Sequence, residues 1–351
     1  MKPTSSLIPA VLIFSSLLTA QSTPKQALLA LSKQDHTLAI VDPVSLKVIA
    51  KVRVGNDPHE VIASSDGKTA YVSNYGGGTF NTLAVIDLVG QKALPPVDLG
   101  ALRGPHGLMF VGGKVWFTAE AAKAIGSYDS AGKKVDWILG TGQNRTHMIF
   151  VSEAMNRIVT TNVSSGTVSI IEKIQRTPIA PGGPPPGGPG SGPLRRVMGP
   201  AVDWDETVLR VGNGPEGFDV SPDGKEIWVA NAQDGTISII NFADKKVTDT
   251  LAANVRGANR LKFTPDGTKV LVSSLGGPDL VVLDAHARKE VKRIPLGHGA
   301  AGIEMQPDGS RAFVGCSPDN YVAVIDLRSL EVIGHIDVGP EPDGLAWSVI
   351  R

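Results

Sequence analysis

The sequence predicts an all-β fold: a seven-bladed β-propeller with four antiparallel strands in each blade. One unit of sequence recurs along the chain, mostly at intervals of 41 to 47 residues, and such a period is typical of blades arranged in a ring. The two chain ends supply complementary parts of one further unit. The 40 glycines and 25 prolines among 351 residues suit a fold with many short strands and turns.

The repeat opens with an apolar strand, a DG turn and a second apolar strand, as in "HEVIASSDGKTAYVSN" and "EGFDVSPDGKEIWVAN". Alternating apolar residues on both sides of an Asp-Gly pair predict a β-hairpin. The residue seven places before the Asp of this turn is taken as the reference position of the unit. In six units, two of them weaker copies, the reference position is occupied by His59, His106, His147, Glu216, Asn259 and Ala301.

Two further strands complete each unit, as in "YVAVIDLRSLE" followed by "EVIGHIDVG". The C-terminal "DGLAWSVIR" matches only the first strand of a unit, with Asp343 at the reference position. The N-terminal runs "QALLALSK", "HTLAIVDPVSLK" and "VIAKVRVG" supply the three missing strands. Together these segments predict a seventh blade that closes the ring and leaves no free sheet edge.

Three regions define the predicted domain organisation. Residues 1–20 have a basic start, a short apolar core and a small-residue cleavage site, which predicts a cleavable signal peptide and a periplasmic or secreted protein. Residues 21–351 are expected to form a single propeller domain without a membrane span. Residues 174–204, approximately, form a Pro/Gly-rich insertion between the third and fourth strands of blade 3. We expect a flexible surface loop there, either a spacer or a docking site.

The charge balance excludes some classes of partner. Lys plus Arg and Asp plus Glu each number 34, so net charge gives no reason to expect nucleic acid or an anionic membrane. A chain with 9 Phe, 5 Trp and 4 Tyr does not indicate a stacking platform for single strands either. The single cysteine, Cys316, cannot form an intramolecular disulfide and is expected to be buried and inert. We expect a monomer.

The second strands of the units end in "AYVSN", "IWVAN" and "IVTTN". With the preceding PDGK-type turns, they resemble the YVTN-repeat β-propeller family over essentially the whole mature chain. The fold of that family is similar to the haem-binding propeller of cytochrome nitrite reductase and to lactonase-like propellers. The resemblance implies a seven-bladed fold, export from the cytoplasm and a binding role, but it names no activity.

The reference position differs in character from the rest of the repeat. Three of the seven histidines in the chain occupy it in consecutive units. The innermost strand of each blade begins beside the central channel, so these side chains are expected to converge at one mouth of it. Histidines with a carboxylate form a plausible site for a divalent transition metal. The predicted metal set is His59, His106, His147 and Glu216.

A second set of residues favours a ligand without a metal. Basic side chains lie two or three places before several reference positions, and they suit a carboxylate- or phosphate-bearing small molecule. These predicted ligand-binding residues are Arg103, Arg145, Arg256 and His298.

Several functions remain open from the sequence. The main hypothesis is a binding protein that holds a small-molecule or protein ligand on its histidine-bearing face. A metal-dependent oxidoreductase, lactonase or lyase is the alternative. A haem or related tetrapyrrole, with an axial histidine and arginines on its carboxylates, is the weaker one.

Overall fold

The computed structural model describes residues 22–176 and 201–351. Within these ranges the chain forms 28 strands in seven four-stranded antiparallel sheets, together with one 3-10 turn at Gly76–Gly78. None of the described residues forms a helix long and apolar enough to cross a membrane. The predicted signal peptide at residues 1–20 lies outside the described residues.

Blade 7 is built from both chain ends. Its strands are β1 (Gln26–Ser32), β2 (Thr37–Asp42), β3 (Lys47–Arg53) and the C-terminal β28 (Pro342–Val349). Strand β28 pairs antiparallel with β1, placing Leu28 opposite Trp347. The sheet order β28-β1-β2-β3 confirms the predicted closure of the ring and the count of seven blades.

The other six blades follow one another along the chain, each with its first strand innermost.
Blade 1 contains β4 (Pro58–Ala63), β5 (Thr69–Asn74), β6 (Thr82–Asp87) and β7 (Lys92–Asp98). Blade 2 contains β8 (Pro105–Val111), β9 (Lys114–Ala119), β10 (Ala124–Asp129) and β11 (Lys134–Gly140). Blade 3 contains β12 (Thr146–Val151), β13 (Arg157–Asn162), β14 (Thr167–Arg176) and β15 (Ala201–Arg210). Blade 4 contains β16 (Pro215–Val220), β17 (Glu226–Asn231), β18 (Thr236–Asn241) and β19 (Lys246–Leu251). Blade 5 contains β20 (Ala258–Phe263), β21 (Lys269–Ser274), β22 (Asp279–Asp284) and β23 (Lys289–Pro295). Blade 6 contains β24 (Ala300–Met305), β25 (Arg311–Cys316), β26 (Tyr321–Asp326) and β27 (Glu331–Ile336).

The hydrophobic core lies between neighbouring blades. The second and third strands are buried on both faces, as in "TAYVSN" of β5 and "DLVVLD" of β22, whereas the fourth strands alternate between exposed and partly buried residues. Leu28 and Ala30 of blade 7 pack with Phe313 and Val322 of blade 6. Each blade therefore buries its apolar faces against its neighbours, as expected of a propeller. Cys316 is buried and free, and burial raises the pKa of its thiol to about 11. Both observations agree with the expectation of an inert thiol.

The predicted insertion in blade 3 is shorter than the sequence suggested. Strands β14 and β15 pair continuously from Thr167 opposite Arg210 to Arg176 opposite Ala201. Residues 174–176 and 201–204 are therefore strand rather than loop, because apolar residues such as Ile174 alternate with polar ones there and support the ladder. The remaining residues of the predicted insertion, 177–200, lie outside the described part of the chain.

Small residues allow the innermost strands to approach one another closely. The residue after the reference position is glycine in four blades: Gly107, Gly217, Gly302 and Gly344. A Cβ on Gly107 would lie 2.6 Å from the carbonyl oxygen of His147 in the next blade. That separation is too short for a carbon-to-oxygen contact, so only glycine permits the observed spacing.

We expect Gly107→Ala to lower the free energy of unfolding by about 1 to 3 kcal/mol, because the added methyl group overpacks a backbone contact. Urea unfolding measures the change. Gly140→Ala is the matched control, since a Cβ at Gly140 meets nothing within 4 Å, and its effect should stay within about 0.5 kcal/mol. Equal effects of the two substitutions would contradict the close packing of blades 2 and 3.

Candidate metal centre at the channel mouth

A cavity of about 470 Å³ opens at one mouth of the central channel. The reference residue of every blade lines it: His59, His106, His147, Glu216, Asn259, Ala301 and Asp343. The repeat alignment predicted this convergence from the sequence.

A β-bulge sets the direction of these side chains. In blades 1 to 6 the pairing of the first two strands shifts register directly after the first residue of the inner strand, as between Pro58 and Val61 in blade 1. The reference residue lies inside this bulge. A bulge locally bends the strand and redirects a side chain, and here it directs the reference residue to the channel mouth.

His147 lies between two carboxylates. Its Nδ1 forms a short hydrogen bond with Glu120 Oε1, and its Nε2 lies 2.8 Å from Glu216 Oε2. Burial lowers the pKa of His147, but the two carboxylates more than offset this effect and raise it above the usual value. Burial alone would raise the pKa of Glu216, but His147 and Arg145 hold it at about 2. The group is therefore an ion-paired cluster.

His106 packs directly on His147 and differs from it in protonation. The two ring centroids are 3.9 Å apart. Burial, followed by the nearby charges of His147 and His59, lowers the pKa of His106 well below its usual value. The imidazole is thus neutral, and its buried Nδ1 has no hydrogen-bond partner. A neutral imidazole nitrogen without a partner is available as a metal ligand.

Three of these side chains form a group that could hold a metal ion. Donor atoms of His106, Glu120 and His147 all lie within 4.8 Å of one another, and all three residues are buried. Tyr75 donates a 2.5 Å hydrogen bond to Glu120 Oε2. Two histidines and one carboxylate are a ligand set used for zinc and for non-haem iron.

His59 belongs to a neighbouring cluster rather than to this donor group. Its Nδ1 lies 3.3 Å from Asp343 Oδ2 and its Nε2 lies 3.2 Å from Asp57 Oδ1. Lys33 Nζ is 3.0 Å from the same Nε2. The ring of His59 contacts that of His106, with centroids 4.9 Å apart. Of the four predicted metal ligands, His106 and His147 are therefore joined by Glu120, while Glu216 contacts His147 and His59 pairs with aspartates.

An ion pair forms the floor of the cavity. Arg260 Nη2 bonds Glu60 Oε1, and both residues are buried, at 6% and 9% exposure. The two side chains come from blades 5 and 1, which are as far apart as a ring of seven allows. Arg260 Nη1 also donates to the carbonyl oxygen of Asn259 at 3.0 Å. The pair bridges the channel directly below the reference residues.

Only one of the four predicted ligand-binding residues lines the cavity. Arg145 does so, and it donates a 3.1 Å hydrogen bond to Glu216 Oε1. Arg103, Arg256 and His298 are exposed and are not among the lining residues, and His298 pairs with Asp319 at 3.2 Å. The structure therefore does not bring these three side chains into the cavity lining. A ligand role for these three stays a prediction.

The sequence reasoning missed a second set of aligned residues. The residue directly after the second strand of a blade reaches the channel mouth from the side. Glu120 and Tyr75 occupy this position in blades 2 and 1, where Glu120 contacts His147 and Tyr75 contacts Glu120. Lys33, Leu275 and Ser317 occupy it in blades 7, 5 and 6, and all three line the cavity. Aligning this second position across the repeats would have placed these residues near the channel mouth, but it would not have shown which of them contact the histidines.

Comparisons with known proteins agree with the fold. A family model described as the cytochrome D1 heme domain matches residues 196–303, from before the last strand of blade 3 into the first strand of blade 6. A solved structure of a functionally unknown protein from Desulfotomaculum acetoxidans DSM 771 is 14% identical, with a TM-score of 0.72, and the match covers 93% of this chain and 99% of that one. The chain is a seven-bladed propeller of the lactonase-like and nitrite-reductase-like fold.

Two further solved structures represent the two sides of that resemblance. A candidate 6-phosphogluconolactonase from Bacteroides uniformis ATCC 8492 is 14% identical with a TM-score of 0.70, covering 92% of this chain and 100% of that one. Dihydro-heme d1 dehydrogenase NirN in complex with DHE is 14% identical with a TM-score of 0.62, covering 93% of this chain and 66% of that one. No curated protein matches the sequence. At these identities the comparisons establish the fold and leave the activity to the site.

Proposed function

We propose that the protein is an exported binding propeller that holds a divalent transition metal beside a small-molecule site at the channel mouth. The observation that carries the proposal is the buried group of His106, Glu120 and His147, whose donor atoms lie within 4.8 Å of one another. His106 and His147 of this group line the 470 Å³ cavity. Export rests on the signal-peptide pattern of residues 1–20.

The protonation states and charges of these residues suit a bound metal ion. His106 is neutral and keeps an unpartnered nitrogen in a buried position. His147 must release its proton to bind a metal, and Glu120 and Glu216 lie close enough to stabilise a cation in its place. A bound ion with an open position would supply Lewis-acid chemistry to a molecule in the cavity. This arrangement accommodates the alternative hypothesis of a metal-dependent oxidoreductase, lactonase or lyase.

The direct test is metal content. Purified protein is reconstituted with Zn²⁺, Fe²⁺, Mn²⁺ or Cu²⁺, freed of excess ion, and analysed for the elements. We expect one ion per chain for at least one of these metals. Protein that retains no stoichiometric ion under any of the four conditions would overturn the proposal.

We expect Tyr75→Phe to weaken metal binding by about 10- to 100-fold, because the hydroxyl orients the ligand carboxylate of Glu120 from outside the donor group. Competition with a chromophoric chelator measures the affinity. Tyr128→Phe is the matched control, since its aromatic contact is with Tyr71 in blade 1, away from the donor group. An unchanged affinity in Tyr75→Phe would show that Glu120 needs no such support.

A haem or related tetrapyrrole is a second candidate, favoured by the family match to a heme domain over residues 196–303. The site fits it in part. The unpartnered nitrogen of His106 could serve as an axial ligand. However, Arg260 is buried and paired with Glu60, so of the two arginines that line the cavity only Arg145, which already bonds Glu216, could reach a haem carboxylate. A flat visible spectrum after incubation with haem would remove this candidate, and a Soret band would favour it over the metal ion.

A further inference from the structure

We propose that the molecule bound in the cavity is a small carboxylate with an uncharged, partly apolar body. This inference rests on the proposed function for the ion beside it. Its own basis is the hydrogen-bonding capacity that the lining residues leave unused, together with the uneven distribution of charge around the cavity.

The cations of the lining have spare donors. An ammonium group carries three N–H donors and a guanidinium five. Lys33 uses one in a contact of 3.0 Å with His59 Nε2, and its nearest carboxylate oxygens are farther away, at 3.4 and 3.5 Å. Arg145 makes a single hydrogen bond, to Glu216. Its side chain is 40% exposed, so it can donate to a molecule in the cavity.

Two of the three carboxylates of the lining are, by contrast, engaged, and the third, Glu341, is exposed to solvent. Glu216 faces Arg145 with one oxygen and His147 with the other. Asp343 Oδ2 lies within 3.4 Å of both His59 Nδ1 and Lys33 Nζ. Beside Glu216 and Asp343 the unused capacity is therefore donor capacity, that of Lys33 and Arg145, and it favours a ligand that brings acceptors and a negative charge.

Apart from Arg260, which pairs with Glu60 on the floor, the lining residues of blades 5 and 6 are uncharged. They are Asn259, Leu275, Ala301, Ser317 and Pro318. Asn259 accepts a hydrogen bond from Arg260 through Oδ1 at 3.3 Å, and its amide nitrogen has no partner among the described residues. Ser317 donates its hydroxyl to the carbonyl oxygen of Pro342. An uncharged body packs against such a wall without losing hydration of a charge.

The two walls together define the ligand. A carboxylate directed at the donors of Lys33 or of Arg145 leaves the rest of the molecule against Leu275, Ala301 and Pro318. The cavity volume of about 470 Å³ accommodates a ring-sized body. A bare inorganic anion would leave the wall of Leu275, Ala301 and Pro318 unused, and a cationic amine would find only the exposed carboxylate of Glu341.

The test compares benzoate, benzamide, benzylamine, acetate and phenyl phosphate by calorimetry on the zinc-loaded full chain. We expect benzoate to bind at least about tenfold more tightly than benzamide, because charge-assisted hydrogen bonds exceed neutral ones. Benzylamine should not bind, and acetate should bind more weakly than benzoate. Benzamide equal to benzoate, or benzylamine tighter than it, would overturn the inference. Tighter binding of phenyl phosphate would overturn the choice of a carboxylate.

Variants locate the binding. At least one of Lys33→Met and Arg145→Gln should weaken benzoate binding about tenfold, while Leu275→Asn should weaken benzoate binding and leave acetate binding unchanged. Arg328→Gln is the control, since Arg328 is an exposed arginine outside the lining. A loss in Arg328→Gln equal to that in Lys33→Met and Arg145→Gln would place the ligand elsewhere. Metal content is measured on the same samples, so one ion per chain without carboxylate preference overturns this inference and leaves the metal centre standing.

Discussion

Replacing His106 by alanine is expected to abolish stoichiometric metal binding. His106 supplies the one buried imidazole of the donor group whose nitrogen is both neutral and unpartnered. Loss of a direct ligand should lower the metal affinity by more than the factor of about 10 to 100 that is typical for loss of a residue that only supports a ligand. Elemental analysis after reconstitution and chelator competition measure the content and the affinity.

The choice of variants separates the structural donor group from the set that the sequence suggested. Glu120→Gln should lower the metal affinity more than Glu216→Gln does. His106→Ala should lower it more than His59→Ala does, because His59 pairs with Asp57 and Asp343. His286→Ala controls for the loss of a histidine, since His286 is exposed on an outer loop. Thermal unfolding of each variant shows that the fold persists. The reverse order, with His59 and Glu216 dominant, would restore the ligand set predicted from the sequence.

Arg260→Met is expected to lower the free energy of unfolding by about 3 to 5 kcal/mol, since it leaves the buried carboxylate of Glu60 without its partner. The two residues are 6% and 9% exposed, so water cannot replace the lost interaction. Urea denaturation, with the linear dependence on denaturant checked for each variant, measures the change.

Two controls test the cause of that loss. The double variant Glu60→Leu/Arg260→Met should recover most of the stability, because an apolar pair removes the unpaired charge. Arg293→Met breaks an ion pair with Glu290 on the surface, where the side chains are 34% and 42% exposed, and should cost less than about 1 kcal/mol. A double variant as unstable as Arg260→Met alone would mean that the ion pair itself, and not the stranded charge, holds the channel floor.

The repeat carried most of the information about the fold. A strand that ends in a DG turn recurs with its reference residue at a fixed offset, so the seven inner strands and their order around the ring follow from alignment alone. The split blade was predictable because Asp343 falls at the reference position while the N-terminal runs lack a first strand. The ends of the insertion were misjudged, since proline and glycine dominate the segment and obscure the alternation around Ile174 and Trp204.

The metal centre shows where alignment stops being sufficient. Glu120 follows a second strand, and nothing in one copy of the repeat distinguishes it from the valine, alanine or leucine at the same position in other blades. Its contact with His147 crosses from blade 2 to blade 3 and depends on how closely those blades approach, which Gly107 permits. The predicted arginines illustrate the same limit, because Arg145 lines the cavity and Arg103 does not.

The sequence by itself determined the all-β propeller, its seven blades, the closure by both chain ends and the seven residues that meet at the channel mouth. These features follow from the period of the repeat and from the fixed offset of the reference position, which together determine where the backbone of each blade lies. Only the tertiary structure decided which side chains touch: His147 with Glu120 and Glu216, His59 with two aspartates, Glu60 with Arg260 across the channel. Such contacts join different blades, so they are set by side-chain direction and by the packing distance between blades, neither of which a repeat within one strand encodes.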